Sequence, residues 1–483
     1  MYWSKVTVRR GVTAAPDGHL LPPDVGLAAS LEQLRRELGI VEAFPPEVLA
    51  EAERTAGSPD LPDTDWRDLE LVTIDPPGAT DLDQALHLER RGTGYRLRYA
   101  IADVPAFVPP GSAFDLEARR RGQTMYAPDR RVPLHPEVVS EDAASLLPGK
   151  DRPALVWVLD LDAGGRTMDV DLVRAVVRSR AQLTYEQVQA DLDAGRAPSG
   201  VDLLAEVGRL RAGLERERGG ATLAIPDQEV VCGPDGCRLR FRPPLPVEDW
   251  NAQVSLMTGM AAAEIMLDGG IGLLRTMPAP DERTLARFRR QGRALGVTWP
   301  EETPFGEMLN SLDPQDPRQL ALLHESVVLF RGAGYTPFDG APPEQRGQAA
   351  VAAPYAHVTA PLRRLVDRFT LTVCHALLTG APVPDWARAA LPELPARMAE
   401  SDRVANALDR GAVDAAEAAV LAGRVGETFE AVVVDVDSRG GGEIQLADPP
   451  VLARCDGDLE LGAEVTVRLD SADVAARTVR FSL

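Results

Sequence analysis

Three aspartates fall within nine residues of this 483-residue chain: Asp75, Asp81 and Asp83, in Thr73-Ile-Asp-Pro-Pro-Gly-Ala-Thr-Asp-Leu-Asp-Gln-Ala-Leu-His-Leu88. Carboxylates held that close repel one another unless a cation sits among them. Hard oxygen donors of this kind suit Mg²⁺ or Mn²⁺. Taken alone, the same spacing also describes a solvated acidic turn, which is the commoner occurrence. The elements around it must therefore decide. An apolar run leads in (Leu69, Leu71, Val72, Ile74) and another leads out (Ala85, Leu86, Leu88), with Pro76-Pro77-Gly78 forcing a tight loop between them. In an extended segment residues i and i+2 face the same way, so Asp81 and Asp83 are expected to point together, with Asp75 returned beside them by the loop.

Two other stretches carry candidate chemistry. In Tyr355-Ala-His-Val-Thr-Ala-Pro-Leu-Arg-Arg-Leu-Val-Asp-Arg, Pro361 suits the first residue of a helix, with Thr359 or Ala360 as cap. That register puts Arg363 and Arg364 in the first turn, where the helix dipole disfavours cations and a bound anion would reverse the preference. Asp367 is expected to hold Arg363 one turn on; a plain surface arginine pair is the competing reading. In Glu117-Ala-Arg-Arg-Arg-Gly-Gln-Thr-Met-Tyr-Ala-Pro-Asp-Arg-Arg, arginines flank Tyr126. A base stacked on Tyr126 with arginines on the phosphates is one reading, and a solvated basic loop is the other.

From Trp66 to about Arg180 the pattern is mostly strand. From Tyr185 to about Leu421 helices dominate, and Gly423 to Leu483 returns to five short strands with Gly-rich turns. An α+β chain follows, ending in a small closed barrel of OB type. Residues 1–62 read as a small N-terminal unit: a hairpin of Lys5-Val-Thr-Val with His19-Leu-Leu, then two helices. It is either a winged or helix-turn-helix-like module or a packing appendage. The net charge of −21 excludes a surface coated in phosphate sites but not an interior basic channel. Lys5 and Lys150 are the only lysines, an excess of Arg that GC-biased codons explain. Four cysteines make no zinc ligand set; Cys232 and Cys237 flank the turn Gly-Pro-Asp-Gly and are expected as reduced thiols across a hairpin. No segment has signal-peptide or membrane-spanning length, so a soluble cytoplasmic protein is expected.

Taken together, these stretches resemble the RNB catalytic domain of the ribonuclease II/ribonuclease R family. The carboxylate stretch resembles TIDxxxxxDxDDA. Ala100-Ile-Ala-Asp-Val with Gly111-Ser-Ala-Phe-Asp-Leu-Glu-Ala-Arg-Arg-Arg-Gly, the Tyr126 segment, Leu134 to Leu146, Gly219-Gly-Ala-Thr-Leu-Ala-Ile-Pro and Tyr355 to Arg364 continue the match. It covers roughly Trp66 to Leu421, taken as a catalytic domain over residues 63–421. Residues 422–483 resemble the ribosomal S-one type of OB fold. The resemblance implies a processive, hydrolytic 3′-to-5′ exoribonuclease, monomeric, taking single-stranded RNA with a 3′-hydroxyl end and releasing nucleoside 5′-monophosphates. It implies Mg²⁺ or Mn²⁺ at Asp75, Asp81 and Asp83, with Asp83 the most critical catalytic position. Arg363 would lie on the scissile phosphate, Tyr126 on the 3′-terminal nucleotide, and Arg364 and His357 along the RNA.

Four positions depart from the family pattern. Gln84 stands where a fourth Asp is usual, Ala360 where Ser is usual, and Gln253 and Gly259 where Glu and Asn are usual. One charge fewer implies weaker metal binding, so the alternative is a catalytically weakened RNA-binding member of the same fold. The N-terminal unit is too short for the two cold-shock barrels of bacterial members, so RNA entry is expected to be lined differently.

Overall fold

The computed structural model describes residues 6–10, 26–221, 227–233, 236–300, 302–313, 316–437, 440–446 and 448–483. Strands Leu71–Ile74, Gln84–Arg91, Gly94–Ala102, Asp151–Leu161 and Thr167–Leu183 close into a five-stranded barrel. Neighbours run antiparallel except at the seam, where Leu71–Ile74 pairs in parallel with the end of the last strand. An odd number of strands in a ring cannot alternate throughout, so one parallel pairing is unavoidable. Here it makes both seam strands end together, with the Asp75 N–H donating to the Leu183 carbonyl at 3.0 Å.

The strands' period of two sends large and small side chains to different cores. Leu86, Leu88, Leu97, Tyr99, Ile101, Leu155, Trp157 and Leu159 enter one, with Met257 and Met260 of helix Pro246–Gly269 and Phe369 and Cys374 of helix Leu365–Thr379. Ala85, Ala100, Ala102, Ala154, Val156 and Ala175 enter the other, with Phe107 and Phe114. Each large side chain buried this way contributes about 1.5–3 kcal/mol.

Helix Leu394–Leu421 links the two ends of the molecule. Its Leu408 packs with Met125, and its Ala416, Ala419 and Leu421 enter the core of a second closed barrel with Phe429 and Phe481. That barrel is built from Thr428–Val436, Gly441–Leu446, Leu452–Asp456, Glu464–Asp473 and Thr478–Ser482, as the strand spacing predicts.

The N-terminal segment departs from expectation. Strand Val6–Arg10 pairs in parallel with Asp227–Gly233, which forms the expected hairpin with Gly236–Arg242 and sets Cys232 opposite Cys237. The expected partner, His19–Leu21, lies outside the described residues. Helices Leu27–Glu37 and Pro46–Gly57 form as predicted, but Leu31 packs on Ala412 and Ala415, and Val48 and Ala52 enter the first barrel's second core. About 60 residues bury too little surface to stand alone comfortably, and these helices borrow the cores of their neighbours. Strands Ile271–Thr276 and Gly334–Asp339 pair within the region read as helical. Their register links residues more than fifty positions apart, which no local pattern reveals. Among the described residues, no helix is long and apolar enough to cross a membrane.

Candidate active site

The carboxylate loop leaves the barrel at its seam. The Ala79 N–H donates to the Pro76 carbonyl at 3.2 Å and Gly78 has φ +81°, which makes Pro76–Ala79 a turn whose third residue must tolerate a left-handed backbone. The returning segment is then pinned. The Ser145 hydroxyl donates to the Thr80 carbonyl at 2.7 Å and accepts from the Leu82 N–H at 3.0 Å, and the Leu146 N–H donates to the Leu82 carbonyl at 3.0 Å. Leu82 is fully buried, and its two neighbours Asp81 and Asp83 take different partners.

Asp83 is 2% exposed. Its Oδ1 accepts the Leu362 N–H at 2.7 Å, and its Oδ2, 3.3 Å from Arg363 Nε, has no hydrogen-bond partner. Asp75 Oδ2 is likewise buried without a partner. Burial pushes the Asp83 carboxyl up to about 8 and the Asp75 carboxyl up to about 6, with Arg363 opposing both shifts. Asp81 accepts instead from the Tyr126 hydroxyl at 2.9 Å and from Arg131 Nη1 at 2.7 Å. Among the described residues, no three His, Cys, Asp or Glu side chains converge into a ready metal cage. The oxygens of Asp75 and Asp83 that accept no hydrogen bond, in a pocket of raised carboxyl pKa, nevertheless fit a hard divalent cation.

The arginines are placed differently from the sequence expectation. The helix begins at Leu365, with Arg364 extended at its N-cap, so neither arginine lies in its first turn. Gln123 bridges Arg364 and the Thr124 N–H donates to the Arg363 carbonyl at 3.0 Å; this pairing keeps the backbone extended and sets Tyr126 beside Arg363. Asp367 holds Arg364, not Arg363: Nε and Nη2 each donate at 2.8 Å in a bidentate pair, while Asp367 Oδ1 also accepts the Ala360 N–H at 2.7 Å. Arg364 is therefore committed within the fold. Arg363, with its side chain 43% exposed, faces Asp83 and solvent together. Tyr126 lies beside it, 36% exposed.

The arginines on either side of Tyr126 are also committed. Arg119 pairs with Asp115 at 3.1 Å, Arg120 and Arg121 with Glu117 at 2.6 and 2.8 Å, and Arg130 with Glu42 at 3.1 Å. His357 Nδ1 lies 2.8 Å from the Tyr335 hydroxyl, with its ring edge-on to Tyr335 and Tyr355. Burial, reinforced by Arg364 and Arg275, keeps its pKa well below the usual range, so it is a neutral ring.

The unusual positions have local explanations. The Gln84 amide donates to the Thr359 carbonyl, a bond no carboxylate can make, and clamps the barrel to the Arg363 turn. Gln253 donates to the buried Glu215 carboxylate, where a second acid would repel it. A Cβ on Gly259 would lie 2.2 Å from the Tyr355 ring. Ala360 needs no serine because Asp367 already accepts its N–H.

Residues 63–380 match the RNB domain model, and residues 427–483 match the RNase II-type exonuclease C-terminal S1 domain. The chain belongs to the RNB family. Ribonuclease R of Acidithiobacillus ferrooxidans is 37% identical over 184 residues, covering 36% of this chain and 42% of that protein. Ribonuclease R of Escherichia coli strain K12 is 29% identical over 322 residues, covering 63% of this chain and 39% of that protein. The matches thus span less than half the length of either relative. Mycoplasma genitalium RNase R, in its apo form, shares the fold at TM-score 0.84 and 19% identity, over 95% of this chain and 78% of that one. In complex with ribose-methylated single-stranded RNA its TM-score is 0.83. Within this RNB domain, Arg131, Glu141 and Thr80 shape the site without having been singled out for it. Arg131 was visible only as part of a basic run, and its partners lie 50 and 10 residues away.

Proposed function

We propose that the chain is a hydrolytic 3′-to-5′ exoribonuclease. It takes single-stranded RNA by a free 3′-hydroxyl end, acts processively as a monomer in the cytoplasm, and releases nucleoside 5′-monophosphates. One observation carries the reading: two buried carboxylates, Asp75 and Asp83, each with an oxygen that accepts no hydrogen bond, stand beside a half-exposed Arg363 and an exposed Tyr126 in an RNB domain. Asp75 and Asp83, with Asp81 beside them, would hold Mg²⁺ or Mn²⁺. That cation would supply an activated water and neutralise charge at the phosphate.

The protein's own groups do the rest. Tyr126 offers a face for the terminal base, worth about 1–3 kcal/mol of stacking. Arg363, kept near the phosphate by Asp83, offsets the charge that grows on the equatorial oxygens during in-line attack. Arg364 shapes this turn through Asp367, and the neutral His357 lies close by as a hydrogen-bonding ring for the RNA. Gln84 is occupied with Thr359, so its missing charge leaves the Asp75 and Asp83 oxygens open. The 2′-hydroxyl is the handle by which RNA would be preferred over DNA.

The test is a time course on 3′-hydroxyl single-stranded RNA with Mg²⁺ or Mn²⁺ and product sizing. Mononucleotides should accumulate from the first turnovers. RNA that is bound yet stays intact in both metals would refute the reading.

A further inference from the structure

Asp81 is unlike Asp75 and Asp83. Both of its oxygens are taken, Oδ2 by the Tyr126 hydroxyl at 2.9 Å and Oδ1 by Arg131 Nη1 at 2.7 Å. Arg131 is itself locked. Its Nε donates to Glu141 Oε1 at 3.0 Å, its Nη2 lies 2.6 Å from Glu141 Oε2, and Nη2 also donates to the Thr80 hydroxyl. The Thr80 hydroxyl in turn donates to Glu141 Oε2 at 2.7 Å. The Arg131, Asp81 and Glu141 side chains are 26%, 14% and 21% exposed, so this fork is sheltered from the solvent that makes surface ion pairs nearly worthless. A rigid guanidinium with partners along two edges fixes direction as well as charge.

Two carboxylates of the triad are therefore open and one is committed. We propose that Arg131, held by Glu141 and Thr80, is a positioning residue that keeps Asp81 on the Tyr126 hydroxyl. Asp81 thereby orients the base-stacking ring and stays off the cation, which Asp75 and Asp83 hold. This rests on the RNA-hydrolysing reading of the site. It assigns opposite effects to one side chain. Removing Arg131 frees a carboxylate and deletes a positive charge, which strengthens cation binding. It also lets the Tyr126 ring swing, which weakens stacking. An arginine that merely supported the fold would weaken both or neither.

The experiment uses the full chain with Arg131→Met and Arg131→Lys, checked by thermal melting. Mn²⁺ affinity is measured by calorimetry without RNA. Stacking is read, in EDTA, from the fluorescence of an RNA carrying 2-aminopurine at its 3′ end. Arg131→Met should bind Mn²⁺ about threefold to tenfold more tightly, as expected for loss of a neighbouring charge in a partly screened site, while quenching the terminal base less. Arg131→Lys keeps the charge and should hold Mn²⁺ as the wild type does, with weaker quenching. Tyr126→Phe keeps the ring, cuts its bond to Asp81, and should also quench less. The proposal is overturned if Arg131→Met moves neither readout, or weakens both, or if Tyr126→Phe quenches as fully as the wild type. A wild-type chain that binds neither Mn²⁺ nor RNA removes the proposed function as well. One that binds both, with unaltered variants, removes only the role of Arg131.

Discussion

The described residues form two closed five-stranded barrels, which spend the same topological necessity differently. Each needs one parallel pairing. In the first barrel it joins the first and last strands, so the chain leaves the seam at Asp75 into a loop of carboxylates. In the second it lies between Leu452–Asp456 and Thr478–Ser482, inside the strand order, and the barrel core there is Phe429, Val433, Ile444, Cys455, Val467, Leu469 and Phe481. The first barrel buries Asp83 against its own stability, whereas the second fills its interior with apolar side chains. Closure by itself makes no site; what matters is which loop the seam feeds and which carboxylate oxygens there accept no hydrogen bond.

Substitutions should separate the two barrels, beginning with the largest effect. Asp83→Asn and Arg363→Ala should each lower RNA hydrolysis by about 10²–10³-fold, the range for losing one group that stabilises transition-state charge. RNA binding measured by filter retention in EDTA should persist for Asp83→Asn, and equal cutting by that variant would remove Asp83 from the chemistry. Phe481→Ala should do the reverse. A fully buried aromatic lost from the second barrel costs about 3–5 kcal/mol in urea unfolding, with the cleavage rate of the folded fraction unchanged. Gly259→Ala, which drives a methyl into the Tyr355 ring, should cost about 1–3 kcal/mol by the same measurement.

A last effect is a pH dependence confined to the first barrel. Folding raises the Asp83 carboxyl to about 8, so the folded state keeps a proton that the unfolded chain has released. Stability from this group is fully present below the unfolded carboxylate range and declines as pH rises towards about 8. In EDTA, Asp83→Asn should raise the melting temperature progressively from pH 5 to pH 8.5, and added Mn²⁺ should reverse the ranking by stabilising only the wild type. A pH-independent difference between the two proteins would show that Asp83 is not a strained acid.

Much of the scaffold was legible. Pro76-Pro77-Gly78 between two apolar runs specified the strand, turn and strand that carry the carboxylates. The five C-terminal strands followed from periodicity and turn residues. The misreading at Pro361 is instructive. A proline favours a helix start wherever it lies, but pairing with Gln123 holds Arg364 extended and delays the helix to Leu365. That delay handed Asp367 to Arg364 and left Arg363 facing Asp83.

The sequence by itself determined the family, the C-terminal barrel and the shortlist Asp75, Asp81, Asp83, Tyr126 and Arg363, because local spacing and turn chemistry act within a few residues. Only the tertiary structure decided which members of that shortlist are open. Asp83 receives its N–H from Leu362, 279 positions away, and Asp81 is claimed by Tyr126 and Arg131, 45 and 50 positions away. A carboxylate's availability depends on burial and on the donors that packing delivers to it, and packing joins residues without regard to their distance along the chain.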